Sequence, residues 1–200
     1  DTWYYSVGEG SGNSAGAPSA GYSGNGVYKS TDNGETWTRL TASNTTALET
    51  FSVAQDYITK IIVDPTDGNV YAACVSAIRR SVDAGTTWTT VLSGTLASSG
   101  QHTDIVVSST GRLYASFGRT NSSTVDGVWG SPPGATSGDA GTWTRIAGAG
   151  AGGSPVGWNA EGAYGRVVLA IAPSSENLLY ALYSITVGAC TVEAELYRWD

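Results

Sequence analysis

One phrase occurs twice, and it constrains the chain more than anything else in it. Residues 27–38 read VYKSTDNGETWT and residues 78–89 read IRRSVDAGTTWT. Both fit S-x-D-x-G-x-T-W, with Ser30, Asp32, Gly34 and Trp37 in the first copy and Ser81, Asp83, Gly85 and Trp88 in the second. A third copy is degenerate: Val128–Ser131 is followed by an insertion over 132–138, then by Asp139, Gly141 and Trp143. The tryptophans recur about every 50 residues, a period that suits units of four strands each.

Other segments repeat in phase with this box. Ile58–Val63, an Asp64-Pro65 turn and Val70–Ala73 precede the second copy, and Ile105–Val107 with Leu113–Ala115 precede the third. Val167–Ala172, a turn at Pro173 and Leu179–Leu182 follow it. β-branched and aromatic residues dominate these stretches, as half-buried pleated surfaces require. Each unit reads as strand A, a tight turn, strand B with a Tyr-Ala pair, a variable loop, strand C, the box turn and strand D. The expected fold is all-β: a β-propeller of four-stranded antiparallel blades. Blade one covers 1–41 and lacks its first strand; blade two covers 57–92 and blade three 103–147. Blade four covers 164–200 and lacks its last strand. About four blades are present, so the expectation is an incomplete ring of six to eight, with the remainder of a larger polypeptide as partner.

The box explains itself structurally. Asp32 and Asp83 accept hydrogen bonds from backbone N–H groups of their own turn. Gly34 and Gly85 fit positions of positive φ. Trp37 and Trp88 are expected to bury a large ring between neighbouring sheets. A structural role is favoured over a catalytic or metal role, because the alternating oxygen ligands of a calcium loop are missing.

Composition narrows the function classes. Charged residues make up 14%, low against about 25% for typical domains, while glycine, with 27 residues, is abundant. That profile suits many short strands with Gly-rich turns. The net charge of −7 repels phosphate backbones, so nucleic acid is not an expected partner. No apolar run approaches the roughly 20 residues of a membrane helix, so no membrane insertion is expected. The chain opens at Asp1 without methionine, which suggests a removed leader or a piece of something longer. Cys74 and Cys190 make no zinc site, and a disulfide between them stays open in an oxidising compartment. Sequons stand at Asn44 and Asn121. No cofactor and no metal is expected.

The boxes resemble the Asp-box (BNR) repeats of sialidase-like propellers. Val63–Pro65, Val70–Ala73 and Ile78–Ser81 are similar to blades of sortilin-type receptor propellers, of two-propeller endoglucanases that cleave xyloglucan, and of photosystem assembly factors. Val7–Ser14 with Gly24–Ser30 resembles large bacterial surface proteins exported by the type IX secretion system. The resemblance covers nearly the whole chain and implies the fold. It also implies that the box, including Asp139, Gly141 and Trp143, is structural and remote from any active site, and that the chain is secreted or displayed outside a bacterial outer membrane.

In such a propeller the B–C loops, expected at Gly8–Asn25, Gly118–Asp126 and Ser184–Ala194, and the D–A loops, expected at Thr41–Asp56, Ser93–Thr103 and Ala147–Tyr164, open on one face and the box turns lie on the other. Candidate binding residues on the loop face are Glu9, Asn13, Tyr22, Asp56, Tyr57, Gln101, His102, Arg119, Trp158, Asn159 and Glu161. Trp158, Asn159 and Glu161 form the most suggestive group, since an exposed indole stacks on a sugar while amide and carboxylate bind hydroxyls. The favoured reading is blander, with Trp158 packed over its loop and Glu161 solvated. His102 is the only histidine and has no nucleophile motif beside it, so a loop role is favoured over a catalytic base. Lys60 and Asp104 fall at equivalent positions on neighbouring innermost strands and are expected to pair. No catalytic residue is assigned. The expected function is a non-catalytic recognition or scaffold module that binds protein or glycan. The rivals are a fragment of a glycoside hydrolase, either xyloglucanase-like, which would need two carboxylates about 5–10 Å apart, or sialidase-like, which would need an arginine cluster and a tyrosine nucleophile with an acid, and a cargo domain of secretion machinery.

Overall fold

The computed structural model describes residues 1–12, 20–40, 57–93, 102–118, 125–148, 158, 164–187 and 191–200. These residues form strands, turns, bends and irregular connections, with no helix among them. The strands are β1 (Trp3–Ser6), β2 (Glu9–Gly12), β3 (Ala20–Tyr22), β4 (Val27–Ser30) and β5 (Thr38–Leu40), then β6 (Ile58–Val63), β7 (Val70–Cys74), β8 (Ala77–Ser81) and β9 (Thr89–Ser93). They continue as β10 (His102–Val107), β11 (Leu113–Gly118), β12 (Gly127–Gly130), β13 (Thr144–Ala147), β14 (Tyr164–Ala172), β15 (Ser175–Val187) and β16 (Thr191–Trp199).

Four antiparallel sheets follow one another along the chain: β1-β4-β5, β6-β7-β8-β9, β10-β11-β12-β13 and β14-β15-β16, with β2-β3 a separate hairpin. In the second to fourth sheets, strands adjacent in sequence are adjacent in space, as short connections between antiparallel strands dictate. The leading strands pack on one another, β6 on β10 and β10 on β14, with β1 against β6. Leading strands that converge while the other strands fan outward make this a propeller-like all-β fold.

Three apolar clusters fill the gaps between consecutive sheets. Val27 of the first sheet meets Val70, Ala72 and Trp88 of the second. Tyr71 and Ile78 of the second meet Leu113, Phe117 and Trp143 of the third. Tyr114 and Val128 of the third meet Leu169, Leu179 and Tyr183 of the fourth. Strands β7 and β11 lie between two neighbouring sheets, so all their residues are buried. Their near-continuous small and apolar sequences follow from that position, because neither face meets water. In β15, by contrast, Leu179, Ala181 and Tyr183 are buried while Leu182 is exposed, because a single neighbour covers that sheet.

Two expectations change here. Residues 184–194 read as a B–C loop, yet β15 and β16 continue as one long hairpin with Ile185 opposite Glu193 and Val187 opposite Thr191. The β-branched run Ile185–Thr186–Val187 favours extended pairing over a loop. Trp37 is also not buried between sheets: it is 39% exposed, whereas Trp88 and Trp143 are each 8% exposed. Each box tryptophan packs on the sheet that precedes it, and no described sheet precedes the first.

Candidate functional site

The box turns are built almost identically in the first two sheets. Ser30 Oγ donates to Asp32 Oδ1 at 2.6 Å and accepts from Gly34 N at 2.8 Å. Thr36 N donates to Asp32 Oδ1 at 2.9 Å, and the Thr36 hydroxyl donates to the other oxygen. Ser81, Asp83, Gly85 and Thr87 repeat the pattern at 2.7–2.8 Å, with the Thr87 hydroxyl at 2.6 Å. The indole N–H of Trp37 donates to Gly34 O at 3.0 Å and that of Trp88 to Gly85 O at 3.1 Å. Gly34 and Gly85 sit at φ of 91° and 93°, where a Cβ is disfavoured. Hydrogen bonds to the charged form hold both carboxyls down at about 2. Ser30 leads the causes for Asp32 and Thr87 for Asp83.

The third box shares letters with the others but not register. One residue fewer separates Gly141 from its tryptophan, so the carboxylate loses the threonine four residues on, while Thr142 N still reaches the Asp139 carbonyl as Glu35 N and Thr86 N reach those of Asp32 and Asp83. Asp139 turns instead to the preceding sheet, where Arg80 Nη1 donates to it at 2.6 Å. Ser137, from the insertion, donates to Gly111 O at 2.6 Å. The Trp143 indole N–H is buried without an acceptor among the described residues.

This departure opens a cleft of about 270 Å³ between the second and third sheets. Asp64, Asp67 and Arg80 of the second sheet line it together with Thr110, Gly134 and Ser137 of the third. Asp64 is nearly buried and accepts from Thr66 N and Thr66 Oγ1 at 2.8 and 2.7 Å. Asp67 accepts from Asn69 N at 2.8 Å. Carboxylate acceptors, a guanidinium and hydroxyls together suit a small ligand bearing hydroxyl or amide groups. The cleft is formed by A–B and box turns, so it lies on the face opposite the loops that sequence reasoning singled out. The signal that could have found it is the inserted 132–138 segment, which breaks the repeat.

A second polar centre sits among the leading strands. Lys60 Nζ lies 2.9 Å from Asp104 Oδ1, the expected pair. Asp104 also accepts from Ile105 N and from Leu169 N of the fourth sheet, each at 2.8 Å. Every one of these contacts joins scaffold elements.

The other candidates disperse. Glu9 and Tyr22 are brought opposite each other by the β2-β3 hairpin. Tyr57 is buried and its carbonyl accepts from Val75 N. His102 opens β10 opposite Gly118 and is half-buried. Trp158 is 8% exposed, stacked on Tyr197 with centroids 5.2 Å apart and edge-on to Tyr183. Its ring lies inside the core, so the sugar-stacking role of an exposed indole does not fit this position. Asn13, Asp56, Gln101, Arg119, Asn159 and Glu161 lie outside the described residues, as do Asn44, Asn121 and Cys190. Cys74 is buried with a free thiol, which burial pushes up to about 12, with Arg79 pulling the other way. Among the described residues, no three His, Cys, Asp or Glu side chains gather as a metal-holding group, and no helix is long and apolar enough to cross a membrane.

No protein-family model matches the chain, and no curated protein matches it. Among solved structures it is similar to an ancestral GH74 enzyme, with a TM-score of 0.35 and 16% identity over 87% of this chain. The chain spans 27% of that enzyme's length. At this level of likeness no residue's role transfers from that enzyme to this chain.

Proposed function

We propose that the chain is a recognition and scaffold module of a secreted or surface-displayed protein, holding a protein or glycan ligand and making or breaking no bonds itself. One observation supports the reading: among the described residues, the carboxylates of the box turns and of the contacts between sheets are spent on structure. Asp32 and Asp83 are saturated by their own turns. Asp104 is tied to Lys60 and two backbone N–H groups, Asp139 to Arg80, and Glu176 to Ser109 of the neighbouring sheet. A general acid needs a pKa near the working pH, and box carboxyls held at about 2 are far from it. Rigid sheets carrying variable loops are a frequent platform for recognition, and the polar cleft beside Arg80 adds donors and acceptors that hydroxyls and amides can meet.

The test is a glycan array and a panel of extracellular proteins probed with labelled chain, run beside an assay for reducing ends released from polysaccharides. Retention of a ligand without release of reducing ends is the expected result. Release that scales with the amount of chain would replace this reading with a glycoside hydrolase. Silence on both panels would remove the recognition role.

A further inference from the structure

Asp64 keeps one oxygen without a partner at a place where little water reaches it. The residue is 2% exposed and lines the cleft between the second and third sheets. Thr66 N and Thr66 Oγ1 both donate to its Oδ1, and Oδ2 takes no hydrogen bond among the described residues. A buried carboxylate satisfied on one side only is costly until a donor reaches the other. The third sheet leaves room for that donor: a Cβ on Gly111 would stand 3.2 Å from both Asp64 oxygens, and the glycine has none.

The rest of the lining has the same bias. Thr66 and Ser137 give their hydroxyl protons to Asp64 Oδ1 and Gly111 O, so they offer the cleft only lone pairs. Arg80 has its charge met by Asp139 at 2.6 Å. Asp64 and Asp67 have no cation within ion-pair distance among the described residues. The cleft thus presents acceptors and two unpaired negative charges, the complement of a cation that donates hydrogen bonds.

We propose that this cleft receives the ammonium of a lysine side chain presented by a partner protein, an inference that rests on the recognition role proposed above. Three features select that occupant. No aromatic ring lines the cleft, so a sugar has no face to rest on. Its volume of about 270 Å³ lies below the roughly 300 Å³ at which small-molecule pockets begin, which fits a single side chain. Asp64 offers one vacant oxygen rather than two, so the fork of an arginine finds no matching pair, whereas an ammonium needs only single acceptors.

Amide chemical shifts of the isotope-labelled full chain, followed as Nα-acetyl-lysine methylamide is added, test this. Resonances of Thr66, Asp67, Gly134 and Ala135 should move with the lysine compound and stay still with its norleucine counterpart, an uncharged chain of similar length. Asp64→Asn and Asp67→Asn should each weaken binding about tenfold while the rest of the spectrum keeps its dispersion. Asp67 is exposed and its carboxylate accepts only from Asn69, so that variant carries the test even where Asp64→Asn loses its turn. Equal shifts with the norleucine compound, tighter binding of glucosamine, wild-type affinity in Asp67→Asn, or no shift at all overturns the proposal. Recognition itself is read separately on the protein and glycan panels. A ligand found there whose binding survives Asp67→Asn leaves the recognition role standing while the lysine site falls.

Discussion

Asp83 illustrates how little of the box is free to do anything but hold the turn. Its oxygens accept from Ser81 Oγ, Thr87 N and Thr87 Oγ1, and the carboxyl is held at about 2. An unfolded chain returns it to roughly 3.9. The folded value is the lower one, so the unfolded chain binds protons first. The contribution to stability is therefore complete above about pH 4 and disappears as pH falls through about 2. Asp32 behaves in the same way through Ser30 and Thr36. Urea midpoints should fall between about pH 4 and pH 2, and Asp83→Asn should lower the midpoint at neutral pH and flatten that acid slope. A variant with wild-type slope would mean these carboxyls do not govern the acid limb. The turn roles of Asp32, Asp83, Gly34 and Gly85 are legible in the sequence, because a seven-residue turn makes its own hydrogen bonds and contains all of the partners.

At the scale of the element, identical letters acquire different weights from their neighbours. Trp37 and Trp88 make the same indole hydrogen bond to a glycine carbonyl, yet Trp88 is sealed against Val27 and Leu40 while Trp37 is open. Trp88→Ala removes a buried ring and should cost about 3–5 kcal/mol. Trp37→Ala loses mainly its edge contact with Tyr5 and should cost about 1 kcal/mol. Chemical denaturation of the two variants checks the difference, and equal losses would show that the box, not the sheet before it, decides the ring's contribution. The third box makes the same point by failure. Asp139 was legible as a box residue, but losing one residue after Gly141 took away its threonine partner, and only the preceding sheet could offer Arg80 instead. Only the outer half of the β15-β16 hairpin reads as a loop in the sequence, because it has no box or turn signal to mark it.

Across the whole molecule, the sheets are coupled at their leading strands. Asp104 in the third sheet holds Lys60 of the second and the Leu169 N–H of the fourth. Thr59 Oγ1 donates to Thr103 O at 2.6 Å, and Ser116 Oγ to Val167 O at 2.8 Å. Asp104→Ala strands a half-exposed ammonium and leaves buried N–H groups without an acceptor, and it should cost about 3 kcal/mol. Lys60→Ala removes the partly solvated half of the pair and should cost less than about 1 kcal/mol. Urea unfolding of both variants distinguishes an anchor from an ordinary ion pair, and equal losses would sink the anchoring role. The sequence by itself determined the all-β class, the strand positions of the central sheets, the box turns and the Lys60–Asp104 pair. Each of these depends on local hydrogen bonds, side-chain alternation or a short repeat whose partners lie within a few residues or one period. Only the tertiary structure decided that Trp158 is core, that Trp37 is bare, that Asp139 crosses to Arg80 and that the polar cleft lies on the box face. Those outcomes depend on which sheet lies against which, and packing between segments distant in sequence leaves no mark in the local pattern of either.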